Sequence, residues 1–273
     1  MDNFMEYVWY YLQILLYTLS AIVVCGFVVW GCKSLFVRMM GGGVGNKIVI
    51  GTSIIGTPVH ELGHAIMCLI FGHRITELRL WQPRSADGTL GYVNHTYNAK
   101  NVYHVIGNLF IGIGPIFSGL LVLGLCLYYA FPASFASYTT NISGLLNTSA
   151  TPLDMLGVGL CIIPNMAVEF TSSTFPIWGR ILLVIVMLSV SLHINLSPAD
   201  MKGALSAIPL YMLLILIIAI ISGLLGQGAM QGVIYAVQMF NAYMMALFTV
   251  VLVFALLQLF VALVVWLIRL LRR

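Results

Sequence analysis

Two histidines and a glutamate, in the stretch His60-Glu61-Leu62-Gly63-His64, lie inside the apolar run from Ile48 to Gly72. The spacing is HExxH. On a helix, positions four apart share a face, so His60 and His64 can hold one metal ion together. Zinc accepts imidazole nitrogens readily and keeps an open position when it is catalytic. Glu61 falls beside that face, where a carboxylate can act as general base on a metal-activated water and later return the proton to a leaving amine. Ionisable side chains inside a span are rare and mark function by default, because an unpaired charge there costs roughly 2.5–3.5 kcal/mol on insertion scales. Ligation removes that cost. The alternative is a polar cluster that pairs helices through hydrogen bonds.

Zinc requires a third protein ligand. The chain offers Asp154, Glu169, His193 and Asp200, together with His73, His95 and His104. The stretch from Leu192 to Gly203 covers the end of one apolar run and contains Pro198. A carboxylate at a proline-broken helix end can reach the site from the same membrane side, and such a break is tolerated where it lines a cavity.

The elements that must position these residues are set by composition. Of 273 residues, 61% are hydrophobic and 7% charged, with a mean hydropathy of +1.03. Soluble domains carry about 25% charged residues, so the chain is an integral membrane protein and its spans must be helices. At about 20 apolar residues per span, six are expected: Val8–Cys32, Ile48–Gly72, Val105–Phe131, Ile177–Asn195, Ala204–Leu225 and Tyr243–Leu271. The fold class is therefore all-α, about six transmembrane helices, with a polar β-hairpin between the second and third. The hairpin follows from the alternation in His73–Asn101 and the Asp87-Gly88 turn signal. Lys33–Lys47, with its glycine run, reads as a flexible turn, and Ala133–Thr174, rich in Ser, Thr and Asn, as a long loop. The acidic start MDNFMEYVWYY has no basic leader region, which favours a retained first span over a cleaved signal. The cysteines show no CxxC spacing and read as small apolar span residues. No basic face recurs, so nucleic acid is not an expected partner; lipid is.

Charge orients the chain. With the hairpin cytoplasmic, Arg74, Arg79, Arg84, Lys100, Lys202, Arg269, Arg272 and Arg273 lie inside, against Lys33, Arg38, Lys47 and Arg180 outside. This bias places hairpin and C-terminus in the cytoplasm. The histidine segment has no second copy, which argues against an inverted-repeat transporter.

The segment VHELGHA in a span, a polar hairpin after it, Gly114-Pro115-Ile116-Phe117-Ser118 in the next span and Asn195-Leu196-Ser197-Pro198-Ala199-Asp200 later resemble the site-2 protease family of intramembrane zinc metalloproteases. The resemblance covers roughly residues 48–203. It implies that His60, His64 and Asp200 bind Zn2+, that Glu61 is the catalytic base, that Asn195 helps place the substrate backbone, and that the hairpin docks substrate by strand addition. The substrate would be a membrane protein cut in or near its transmembrane segment. The pattern departs from the family in two places. Ser118 stands where the family has Asn, and Asp200 follows Asn195 by five residues rather than eight, without the LDG string. A Pro-Leu-Asp string does occur at Pro152-Leu153-Asp154, but the charge-derived topology puts it across the membrane from His60. The domain reading that results is an N-terminal span and loop (1–47), a metalloprotease core (48–203) and a C-terminal two-span scaffold (204–273). The alternative function is a non-catalytic metal-binding membrane protein, an inactive scaffold or a transporter.

Overall fold

Long apolar runs without helix-breaking clusters make helices, because a helix satisfies every backbone group within the segment. The computed structural model describes residues 2–83, 88–146, 152–172 and 175–271. Its elements are α1 (Asp2–Met39), α2 (Gly42–Ile70), β1 (Arg74–Arg79), β2 (Tyr92–Thr96), α3 (Val102–Ala130), α4 (Pro132–Leu146), α5 (Pro152–Leu160), α6 (Ile162–Ser172), α7 (Ile177–Ser191), α8 (Pro198–Leu225) and α9 (Gln227–Leu271). Among the described residues, α1, α2, α3, α8 and α9 are long and apolar enough to cross a membrane. Their outer faces carry exposed side chains such as Leu121 and Leu224, which suits lipid as the surrounding solvent.

The hairpin is present. Strands β1 and β2 pair antiparallel, with Arg74 opposite Thr96 and Arg79 opposite Tyr92, and the register shifts between Ile75 and Glu77. Gly88 takes φ 77°, the left-handed conformation a turn glycine supplies; Asp87 lies outside the described residues.

Three expectations are corrected. The first is the turn at Lys33–Lys47. Helix α1 runs on to Met39 and α2 begins at Gly42, so the glycine run opens α2 and only Gly41, at φ 70°, turns the chain. Arg269 at the end of α9 donates to the Met40 carbonyl (2.6 Å), a cation at a helix C-terminus.

The second is the fourth span. Ile177–Ser191 is helical for 15 residues, about 22 Å at 1.5 Å per residue, short of the ~30 Å hydrocarbon core. Polar Ser189, Ser191, His193 and Asn195 stop the run, and residues 192–197 are irregular before α8 starts at Pro198. The boundary expected at 203/204 therefore falls within α8.

The third is the loop from Ala133 to Thr174, most of which is helical. Glu169 accepts the Ala133 N–H (2.9 Å), the Ser134 N–H (2.8 Å) and the Ser134 hydroxyl (2.7 Å), so its carboxylate satisfies orphan donors at the start of α4. Arg180 donates to the Glu169 carbonyl (2.9 Å) and to that of Phe170. Tyr138 donates to the Ala246 carbonyl. These distant partners override the local Ser/Thr/Asn composition.

The core runs along α3, whose Ile116, Leu120, Leu123 and Leu127 are buried with Met187 and Val190 of α7 and Val251 and Phe254 of α9. Helix α3 packs on α2, α7 and α8, the elements that carry or border the HExxH residues.

Candidate metal centre

On α2, His60 and His64 lie one turn apart, with Nε2 atoms 3.3 Å from each other. Asp200, in the first turn of α8, places Oδ1 3.1 Å from His64 Nε2 and Oδ2 3.7 Å from His60 Nε2. Among the described residues these form the one group of three or more potential ligands whose donor atoms all lie within 4.8 Å of one another. Asp154, Glu169, His193, His73, His95 and His104 fall outside it. Asp154 lies on α5, which packs on α9 and α4. Glu169 is the helix anchor described above.

The second ring nitrogens fix the tautomers. His60 Nδ1–H donates to the His193 carbonyl (2.9 Å), and His64 Nδ1–H to the Ile111 carbonyl (2.7 Å). In a neutral imidazole the other nitrogen is then a lone-pair acceptor, and ligating histidines have this outer-shell pattern. With both rings neutral, two Nε2 lone pairs and a carboxylate converge with no donor between them. A cation turns that repulsion into ligation. Tetrahedral zinc with bonds of about 2.0–2.2 Å keeps its ligand atoms about 3.3–3.6 Å apart, and the observed separations of 3.1, 3.3 and 3.7 Å bracket that edge. Charge agrees. Glu61 is buried and also lines the site, so a divalent ion would balance its carboxylate and that of Asp200. The donor set fits zinc.

Glycines allow the helices to come close enough for this. A Cβ on Gly114 of α3 would sit 2.6 Å from the Gly63 carbonyl oxygen of α2, and one on Gly112 would sit 2.7 Å from the Asp200 carbonyl oxygen of α8. Both clashes are with backbone, which cannot swing away. Gly114→Ala is therefore expected to lower bound zinc well below one per chain while circular dichroism shows unchanged helix content. Gly124→Ala in the same helix, with nothing within 4 Å of its added carbon, is expected to bind zinc like the wild type. Ser118, where the resemblance expects Asn, donates to the Val59 carbonyl (2.7 Å) and ties α3 to α2.

Asp200 is held by a capping box. Ser197 Oγ accepts the Asp200 N–H (3.2 Å), and Asp200 Oδ2 accepts the Ser197 N–H (2.7 Å), with Pro198 at the first helical position. The Ser-x-x-Asp spacing before an apolar run is a signal in the sequence for this position. Ser197→Ala keeps the Ser197 N–H that holds the Asp200 carboxylate, so it is expected to weaken zinc binding less than the ~10–100-fold that follows loss of a group orienting a ligand, and to cost the helix about 1 kcal/mol through the lost cap. Chelator competition measures the first effect and thermal melting the second.

The centre opens into a cavity of about 840 Å³. Gly88–His95 of the hairpin form one wall, and Thr57, Asn108, Ile111, His193 and Asn195 contribute others. Trp81 Nε1–H donates to Ser53 Oγ (2.9 Å) and fastens the hairpin to α2. At the hairpin root His73 Nε2–H donates to the His104 carbonyl (2.8 Å), which leaves His73 Nδ1 to accept from His95 Nδ1–H (3.0 Å). Burial pushes both imidazoles below their ordinary pKa, and for His95 the nearby His73 and His64 add to it. A neutral His73 ring is what this hydrogen bond requires, since its Nδ1 must accept.

Sequence reasoning missed Asn108. It is buried, lines the cavity, and its Nδ2 has no partner among the described residues. An amide in the otherwise apolar run of the third span is a signal of the same kind as the histidines. Asn195 also lines the cavity. Comparison with family models, with curated proteins and with solved structures returns no match, so the functional reading rests on the chemistry of this site.

Proposed function

We propose that the chain is an intramembrane zinc metalloprotease, a divergent relative of the site-2 proteases, which hydrolyses a peptide bond in or near the transmembrane segment of a membrane-protein substrate. The observation that carries this is the convergence of the His60 and His64 Nε2 atoms, whose Nδ1 atoms face backbone carbonyls, with the Asp200 carboxylate beside buried Glu61, all lining a cavity walled by the hairpin.

His60, His64 and Asp200 would hold the ion. Zinc bound there supplies a Lewis acid that polarises a carbonyl and lowers the pKa of water. Glu61 takes the proton from the attacking water at its carboxylate. The water oxygen joins the carbonyl carbon, the C–N bond breaks, and Glu61 delivers its proton to the departing amine nitrogen. The backbone of Gly91, where an added Cβ would lie 2.9 Å from Glu61 Cγ and 2.7 Å from Thr57 Cγ2, closes the cavity over the carboxylate. A substrate helix must unwind to expose its carbonyls, and the hairpin beside the cavity offers strand pairing to the unwound segment. Helix α2 separates the hairpin at its C-terminal end from the α1–α2 turn at its start, where Arg269 at the end of α9 binds the Met40 carbonyl. In this proposal the hairpin and the end of α9 therefore lie on opposite sides of the membrane, not together in the cytoplasm as the charge count expects.

The test compares membrane proteomes of cells producing the wild type and Glu61→Gln. Fragments cut in or beside transmembrane segments are expected only with the wild type. Zinc bound at one per chain with identical fragment sets would point to the non-catalytic metal-binding alternative.

A further inference from the structure

Lys33 reads from the sequence as a loop charge. In the fold it lies within α1, and its ammonium donates to Asn195 Oδ1 at 3.0 Å. No carboxylate pairs with it among the described residues. Asn195 sits in the irregular stretch between α7 and α8, two residues past the His193 carbonyl that holds His60, and it lines the cavity. An ammonium has donors only. The Asn195 amide therefore turns its oxygen toward α1, which leaves its NH2 facing away from the ammonium in a side chain that lines the cavity. A charge-assisted bond holds that orientation more firmly than a neutral one. The rest of the centre offers acceptors: two Nε2 atoms and the carboxylates of Glu61 and Asp200. An outward NH2 supplies the complementary donor.

We infer that Lys33 is a positioning residue, which fixes Asn195 as a hydrogen-bond donor to a backbone carbonyl of the bound peptide. This rests on the metalloprotease reading and adds the first span to the site. It also explains a half-buried lysine without a counter-ion among the described residues: the charge acts by setting the direction of an amide dipole.

The test uses the full-length, zinc-loaded protein in detergent and two probes, acetohydroxamate and benzyloxycarbonyl-Leu-Leu-hydroxamate, titrated by calorimetry. Both carry the same zinc-binding group, and only the second has a peptide backbone. The wild type is expected to bind the peptidyl probe more tightly than acetohydroxamate. Lys33→Met is expected to weaken the peptidyl probe about tenfold, the worth of one well-made hydrogen bond, and to leave acetohydroxamate unchanged. Asn195→Asp, which keeps and strengthens the contact to Lys33 but presents a carboxylate oxygen to the peptide carbonyl, is expected to lose at least as much. Unchanged peptidyl binding in Lys33→Met overturns the inference. So does equal weakening of both probes, which marks a scaffold role, and so does a wild type that binds the two probes alike. Failure of acetohydroxamate to bind the wild type removes the metal reading itself, and the inference falls with it.

Discussion

In the Glu61→Gln protein, peptide hydrolysis is expected to fall by at least the ~10²–10⁴-fold that a general base contributes, with zinc content unchanged. The two effects separate because Glu61 is not among the converging donors, which are His60, His64 and Asp200. Glutamine fills the same volume beneath Gly91, so the cavity keeps its shape. Its amide cannot accept the proton of the attacking water or return it to the amine. The measurement pairs elemental analysis of the purified protein with the yield of substrate fragments, once the proteome comparison has supplied a substrate. A Glu61→Gln rate close to that of the wild type would falsify the general-base role. Loss of zinc in this variant would instead make Glu61 a ligand.

Asp200→Ala is expected to take zinc from one per chain to near zero. The loss should exceed the ~10–100-fold weakening caused by removing a ligand's hydrogen-bond partner, because the donor itself is gone. Two imidazoles would remain, and the carboxylate that balances the ion would not. Alanine also removes the acceptor for the Ser197 N–H (2.7 Å), so a damaged helix start must be separated from a lost ligand. Asp200→Asn does this: its amide oxygen can still accept from Ser197, but it carries no charge. Asn is expected to bind as little zinc as Ala while melting closer to the wild type. Asp154→Ala is expected to retain full zinc. If Asp200→Ala keeps its zinc and Asp154→Ala loses it, the site assembled from α2 and α8 is not the metal centre.

What was legible in the sequence is local. The alternation around the hairpin is a nearest-neighbour pattern, and β1 and β2 lie within the segment it marks. The helix ends were less legible. The second expected span begins at Ile48, but α2 starts at Gly42, since the fold continues the helix through glycines that propensity would place in a turn. The helices at 132–172 were hidden because their stabilising partners are distant: the carboxylate anchoring α4 is Glu169, and the acceptor for Tyr138 is on α9. Lys33 carried no signal as a site residue, since its partner is 162 positions away.

By itself, then, the sequence determined that the chain lives in a membrane and that one helix face presents His60 and His64 with Glu61 beside it. Both follow from properties summed along the chain: the transfer cost of each residue and the 3.6-residue repeat that stacks positions four apart. The tertiary structure alone decided which of several carboxylates and histidines meets that face. Gly63 against Gly114 and Gly112 against Asp200 set how closely α2, α3 and α8 approach, the unwound residues 192–197 lend a carbonyl to His60, and a capping box aims Asp200 at His64. No local pattern carries that information, because convergence of ligands depends on the distance between helices, and backbone contact at glycines sets that distance.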